Sequence, residues 1–176
     1  MGLNFMEKKV IEEKVTSLLS QHGYNPKSDN YVDIVDLVKK EGFSVGNALL
    51  SDSDDGFLAI RPTESNYDKI IGVNANRSIE LKRFIIAHEF AYSVLHYESG
   101  QIFLHRENKK GKDDEENDAD YFAAALLMPL ESFKRVYEQL KIAKLSENII
   151  CLNLATIYRV PIESAVRRVK EIASLA

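Results

Sequence analysis

The spacing of apolar residues changes twice along the chain, and this change restricts the fold more than any other sequence feature. Helical spacing governs residues from about 5 to 42, where Gly23 and Gly42 end two predicted helices. Apolar residues then alternate in three short segments that are predicted strands, namely 43–45, 56–60 and 70–73. Helical spacing returns near residue 78. This order predicts an α+β fold, mostly helical, with a small sheet of about three strands.

Charge, hydropathy and cysteine usage exclude several classes of protein. The 176 residues carry a formal net charge of -4, so nucleic acid is not expected as a direct partner, because phosphate backbones favour basic surfaces. No apolar segment is long enough to cross a bilayer, and no membrane association is expected. The single cysteine, Cys151, permits no internal disulfide and fits a reducing compartment. We therefore predict a cytoplasmic protein.

The chain is predicted to divide into a core and a C-terminal helical hairpin. Residues 1–145 contain the predicted strands and the polar motifs, and residues 146–176 are expected to pack on this core as the hairpin. Segment 154–169 weakly resembles a helix-turn-helix, with Arg167 and Arg168 on its second helix. A DNA-binding regulator acting through this segment is therefore one alternative function, and a purely structural hairpin is the other interpretation.

The helix predicted from about Ser78 to Tyr97 contains an incomplete metal-binding pattern within residues 83–96. A zinc peptidase helix needs two histidines four residues apart, because one helical turn brings both imidazoles to the same face. The glutamate after the first histidine then acts as general base on the metal-bound water. The chain has His88 and Glu89, but Tyr92 stands at the position of the second histidine. A His-Glu pair alone is weak evidence, because many helices contain one.

A second polar group lies at the start of a later predicted helix. Glu116 and Asp120 are one helical turn apart and therefore share a face. Such a pair can supply a metal ligand and a carboxylate that orients a ligating histidine. A solvated acidic first turn is the alternative, although Asp120 borders an apolar run and fits it less well. Residues 105–116 are nearly all polar and are predicted to be a mobile loop beside the cleft.

Together the two segments resemble the ImmA/IrrE family of zinc metallo-endopeptidases, whose core is zincin-like. The first segment reads Arg83-Phe84, Ala87-His88-Glu89 and Leu95-His96, and the second reads Glu116, Ala119-Asp120, Phe122-Ala123 and Leu126-Leu127-Met128-Pro129. Two long motifs in the family's order make the resemblance specific, and it extends over most of the chain.

The resemblance implies zinc as cofactor and a role for each motif residue. His88 would be the first zinc ligand and Glu116 the third. Glu89 would be the catalytic general base, and Asp120 would be the outer carboxylate that orients a ligand. Tyr92 stands where the family has its second histidine ligand.

Tyr92 leaves enzymatic activity and zinc occupancy open. A phenol ligates a metal only after losing its proton, and its ordinary pKa is about 10. Three interpretations remain. The chain is a degenerate, non-catalytic domain that keeps a peptide-binding groove, or a zinc enzyme with Tyr92 or His96 as an unusual ligand, or a normal enzyme altered in the laboratory. If His96 is not a ligand, it is expected in the outer shell of the site, against the following strand.

The resemblance also implies a protein partner. The family cleaves or otherwise inactivates helix-turn-helix repressors, often those of mobile elements or stress regulons. We therefore expect such a repressor as the substrate, or as the partner of a non-catalytic anti-repressor or sensor. Ile71, Val73 and Asn74 belong to the strand before the motif helix and are expected at the cleft edge, where an extended peptide would bind by strand addition.

Overall fold

A computed structural model of the chain describes Leu3 and residues 5–98, 102–106 and 114–173. The helices are α1 (Phe5–Gln21), α2 (Ile34–Lys40), α3 (Ile79–Leu95), α4 (Asp114–Leu127), α5 (Leu130–Ile142), α6 (Glu147–Tyr158) and α7 (Ile162–Ala173), and the strands are β1 (Ser44–Ala48), β2 (Gly56–Pro62), β3 (Tyr67–Asn74) and β4 (Phe103–Arg106). The predicted α+β fold, mostly helical with a small sheet, is confirmed, and the described sheet has four strands rather than about three.

The described residues group into two compact units. The first unit contains Asp33–Ala123, and the second contains Leu3–Val32 with the described part of Ala124–Ala176. The sheet, α2, α3 and most of α4 belong to the first unit, whereas α1, α5, α6 and α7 belong to the second. This division differs from the predicted boundary after residue 145.

The sheet has the strand order β1-β3-β2-β4, in which β1 runs parallel to β3 and the other pairs are antiparallel. Strand β3 therefore lies inside the sheet and is paired along both sides. The expectation that Ile71, Val73 and Asn74 lie at an edge open to strand addition is wrong, because β1 and β2 occupy both sides of β3. All three residues are also buried.

Strand β4 occupies sequence that was predicted to begin a polar loop. The prediction of a loop over residues 105–116 is wrong at both ends, because residues 105 and 106 belong to β4 and α4 begins at Asp114. Residues 107–113 lie outside the described residues. In the register with β2, His105 is opposite Leu58, which is fully buried. Directly opposed residues of an antiparallel pair share one face, so His105 is on the buried face of the sheet.

Helix α3 is fixed at its start by a side-chain cap and along its length by apolar packing. The Ser78 hydroxyl accepts a hydrogen bond from the Leu81 backbone N–H at 3.2 Å, which satisfies one of the free donors of the first turn. Phe90 on the buried face packs edge-to-face on Phe43 and Phe122. This packing sets which face of α3 its polar residues occupy.

In the second unit, the two arginines of α7 differ in burial, and Arg168 is structural. Arg168 is fully buried, its Nε donates to the carbonyl of Met128 at 3.1 Å, and its guanidinium lies 2.7 Å from the carboxylate of Glu12. Arg167 bonds to Glu171 on its own helix. The weak alternative of DNA binding through this segment loses Arg168, which is buried within the protein, whereas Arg167 stays partly exposed in its pair with Glu171.

The turn between α6 and α7 bends the chain by 109°. Arg159 at this turn adopts a left-handed conformation with φ of 51°, and its N–H caps the end of α6. Among the helices that the structure describes, none is by itself long and apolar enough to span a membrane, and α6 and α7 meet the length and composition only as a bent pair.

Candidate metal centre

Polar side chains from three elements of the first unit meet beside the sheet. Helix α3 contributes His88, Glu89 and Tyr92, strand β4 contributes His105, and α4 contributes Glu116 and Asp120. One atom from each of His88, His105 and Glu116 lies within 4.8 Å of the other two, so these three residues are close enough to hold one metal ion.

His88 is oriented by Asp120. The imidazole is 2% exposed, and its Nδ1 donates to Asp120 Oδ1 at 3.1 Å. Its Nε2 is buried and forms no hydrogen bond to any described residue, although it lies 3.4 Å from Glu116 Oε1. The ring therefore presents one unpaired nitrogen to the centre of the cluster.

The charges around His88 favour a cation at this place. Burial alone lowers the pKa of His88, but the hydrogen bond to Asp120 and the charges of Glu89, Asp120 and Glu116 outweigh burial and raise its pKa above the ordinary value. A proton on this ring and a metal ion beside it are two ways to place positive charge among the three carboxylates.

His105 is the member of the cluster that sequence analysis missed. Its Nδ1 donates to Glu89 Oε2 at 2.9 Å, and its Nε2 points toward Glu116 Oε2 at 4.0 Å. The one local signal was the apolar run of residues 102–104 just before it, which is typical of a strand that continues into position 105. The polar residues that follow made a loop the simpler interpretation.

Glu89 is engaged by this histidine rather than directed to solvent. Its side chain is 0% exposed, and its Oε1 forms no hydrogen bond within the described part of the chain. Gly56 in β2 lies close by, since a Cβ atom there would be 3.6 Å from Oε1. The carboxylate thus sits between the helix and the sheet.

Tyr92 forms a hydrogen bond with Glu116, a further carboxylate of the centre. Its hydroxyl donates to Glu116 Oε2 at 2.7 Å, and its ring stacks on His105 with centroids 3.6 Å apart and planes 20° apart. In this arrangement Tyr92 serves Glu116 as a hydrogen-bond donor, and the ligand role that the resemblance implies for position 92 stays a prediction.

Other predicted site residues lie outside the cluster. His96 caps the C-terminal end of α3 and packs on Tyr92, with ring centroids 5.3 Å apart, but it contributes no atom to the three-residue group. The Asn74 side chain donates to the backbone carbonyls of Ser51 and Asp54 at 3.0 and 2.8 Å. Asn74 therefore fixes the segment before β2.

A comparison with known families covers this whole region. The family model of the IrrE N-terminal-like domain, a peptidase family, matches residues 43–170. The chain belongs to this family. The match includes every residue of the cluster and confirms the resemblance found in the sequence, whereas no curated protein matches the chain. As an IrrE N-terminal-like protein, the chain contains a metallopeptidase-like domain, and members of this family are typically zinc-dependent.

Proposed function

We propose that the chain binds a helix-turn-helix repressor as a metallopeptidase-like domain and does not cleave it efficiently. The observation that supports the low activity is the burial and hydrogen bonding of Glu89, the general base that the family resemblance implies. Its side chain is completely buried and accepts a hydrogen bond from His105 at 2.9 Å.

A general base must reach the water whose proton it removes. In a zinc peptidase the bound metal lowers the pKa of that water, and the glutamate beside the first histidine ligand takes the proton. Here Glu89 faces an imidazole, and Tyr92 replaces the histidine that would complete the family's ligand set. Both changes lower the rate of hydrolysis without removing the fold that surrounds the site.

The repressor is proposed from the family resemblance, and the sheet offers a place for it to bind. Strand β1 is the outer strand beside β3, and Ser44, Gly46 and Asn47 on it are exposed. An extended segment of a partner can add to such an edge through backbone hydrogen bonds. We therefore propose β1, rather than the inner strand β3, as the edge that binds the peptide.

The test uses the unaltered chain and the helix-turn-helix repressor encoded nearest to its gene. Size-exclusion chromatography measures the complex, and electrophoresis follows cleavage in the presence of zinc. We expect a stable complex and no cleavage over hours. Brisk zinc-dependent cleavage would contradict the proposed loss of activity, and failure to form any complex would contradict the proposed partner.

A double variant tests the reason for the poor activity. Tyr92→His supplies the missing imidazole, and His105→Leu releases Glu89 from its hydrogen bond. We expect the double variant to cleave the repressor faster than the unaltered chain. Adding Glu89→Gln should abolish that gain, because an amide does not accept the proton.

A further inference from the structure

We propose that the chain binds zinc through His88, His105 and Glu116, with the strand histidine His105 replacing the helix histidine that Tyr92 displaces. This inference deepens the proposed function because it concerns the same site. Zinc binding is measured without the repressor, so either proposal can fail while the other stands.

The two imidazoles are prepared for a metal in the same way. Each Nδ1 donates to a carboxylate, from His88 to Asp120 at 3.1 Å and from His105 to Glu89 at 2.9 Å. Histidines that ligate zinc almost always give their other nitrogen to such a partner, which fixes the tautomer and the ring orientation. In both rings this arrangement leaves Nε2 as the lone-pair donor.

The spacing of the three donors suits one zinc ion. With bonds of about 2.0–2.1 Å, two ligand atoms on a tetrahedral zinc ion are roughly 3.3–3.4 Å apart. His88 Nε2 lies 3.4 Å from Glu116 Oε1, and His105 Nε2 lies 4.0 Å from Glu116 Oε2. The first spacing already has the required value. The second involves the other oxygen of Glu116 and is longer, so the side chains must move to place one atom from each residue, now within 4.8 Å of one another, around one ion.

Burial and charge favour the same conclusion. The Nε2 atom of His88 is buried without a hydrogen bond to any residue that the structure describes, and an unpaired polar atom of this kind is unfavourable. Glu89, Glu116 and Asp120 place three carboxylates around the two rings. A divalent cation would pair the nitrogen and offset most of that negative charge.

Tyr92 and Glu89 take new roles in this site. The Tyr92 hydroxyl holds one oxygen of Glu116, and its ring holds His105 by stacking. Glu89 becomes the carboxylate that orients His105. The contact that prepares the new ligand thus also removes the general base, so zinc binding and poor hydrolysis have one structural cause.

The experiment titrates metal-free protein with zinc alone, in competition with a chromophoric chelator. It compares the unaltered chain with His105→Gln, which can still donate to Glu89, and with the control His96→Gln on the end of α3. We expect one zinc per unaltered chain and per control chain. In His105→Gln we expect the affinity to fall by about 100-fold or more, since even loss of an outer partner typically costs about 10–100-fold.

Cobalt titration supplies a second readout, because d–d absorption reports the geometry around the ion. We expect strong tetrahedral absorption for the unaltered chain and the control, and its loss in His105→Gln. Circular dichroism verifies folding, and Glu116→Gln replaces His105→Gln if the latter does not fold. Absence of zinc from the unaltered chain, or equal affinity in His105→Gln, or an equal loss in His96→Gln, would each overturn the proposal.

Discussion

Replacing Tyr92 by phenylalanine shows whether Tyr92 is itself a zinc ligand or only positions another ligand. The variant keeps the ring that stacks on His105 at 3.6 Å and removes the hydroxyl that donates to Glu116 at 2.7 Å. If the hydroxyl orients Glu116, zinc affinity should fall by about 10–100-fold, the usual cost of an outer partner. That loss equals about 1.4–2.7 kcal/mol of binding free energy.

Chelator competition at one fixed pH measures this change, and Tyr97→Phe is the matched control. The Tyr97 hydroxyl forms no hydrogen bond to any described residue, and its ring packs on Phe103. The control should bind zinc as tightly as the unaltered chain. Complete loss of binding in Tyr92→Phe would identify Tyr92 as a ligand, and unchanged binding would show that its hydroxyl does not position Glu116. Either result refutes the reasoning.

Two further predictions concern the packing that supports the site and the fold. Gly56→Ala should lower the free energy of unfolding by about 1–3 kcal/mol in urea titrations, because the added Cβ would collide with a side chain of α3 and lie 2.9 Å from a backbone oxygen of β3. Gly46→Ala, with no atom within 4 Å of its added Cβ, should change it little. Glu12→Gln should cost about 3 kcal/mol by leaving the buried guanidinium of Arg168 poorly compensated. The exposed neighbour Glu13→Gln should be nearly neutral, and equal losses within either pair would contradict the respective explanation.

The parts of the fold that depend on local periodicity were predictable. Helix α3 follows from its apolar spacing, which also places His88 and Tyr92 on one face. The pairing of Glu116 with Asp120 one turn later follows from the same rule. Helical periodicity alone therefore predicts which residues of α3 and α4 share a face.

The parts of the fold that depend on strand pairing could not be predicted from local periodicity. Nothing in the residues of β3 distinguishes an inner strand from an edge strand, because the order of strands is set by contacts distant in sequence. His105 entered the site only through pairing of a four-residue strand with β2. The burial of Arg168 could not be predicted for a related reason, because it depends on pairing with Glu12, which is distant in sequence.

In the proposed site His105 is a zinc ligand and Tyr92 is not. Anomalous diffraction at the zinc edge, from crystals soaked in zinc alone, tests it most directly. We expect one peak about 2.0–2.1 Å from Nε2 of both His88 and His105 and about 2.0–2.2 Å from an oxygen of Glu116. A peak bonded to the Tyr92 oxygen or to a His96 nitrogen, or no zinc at these residues, would contradict it.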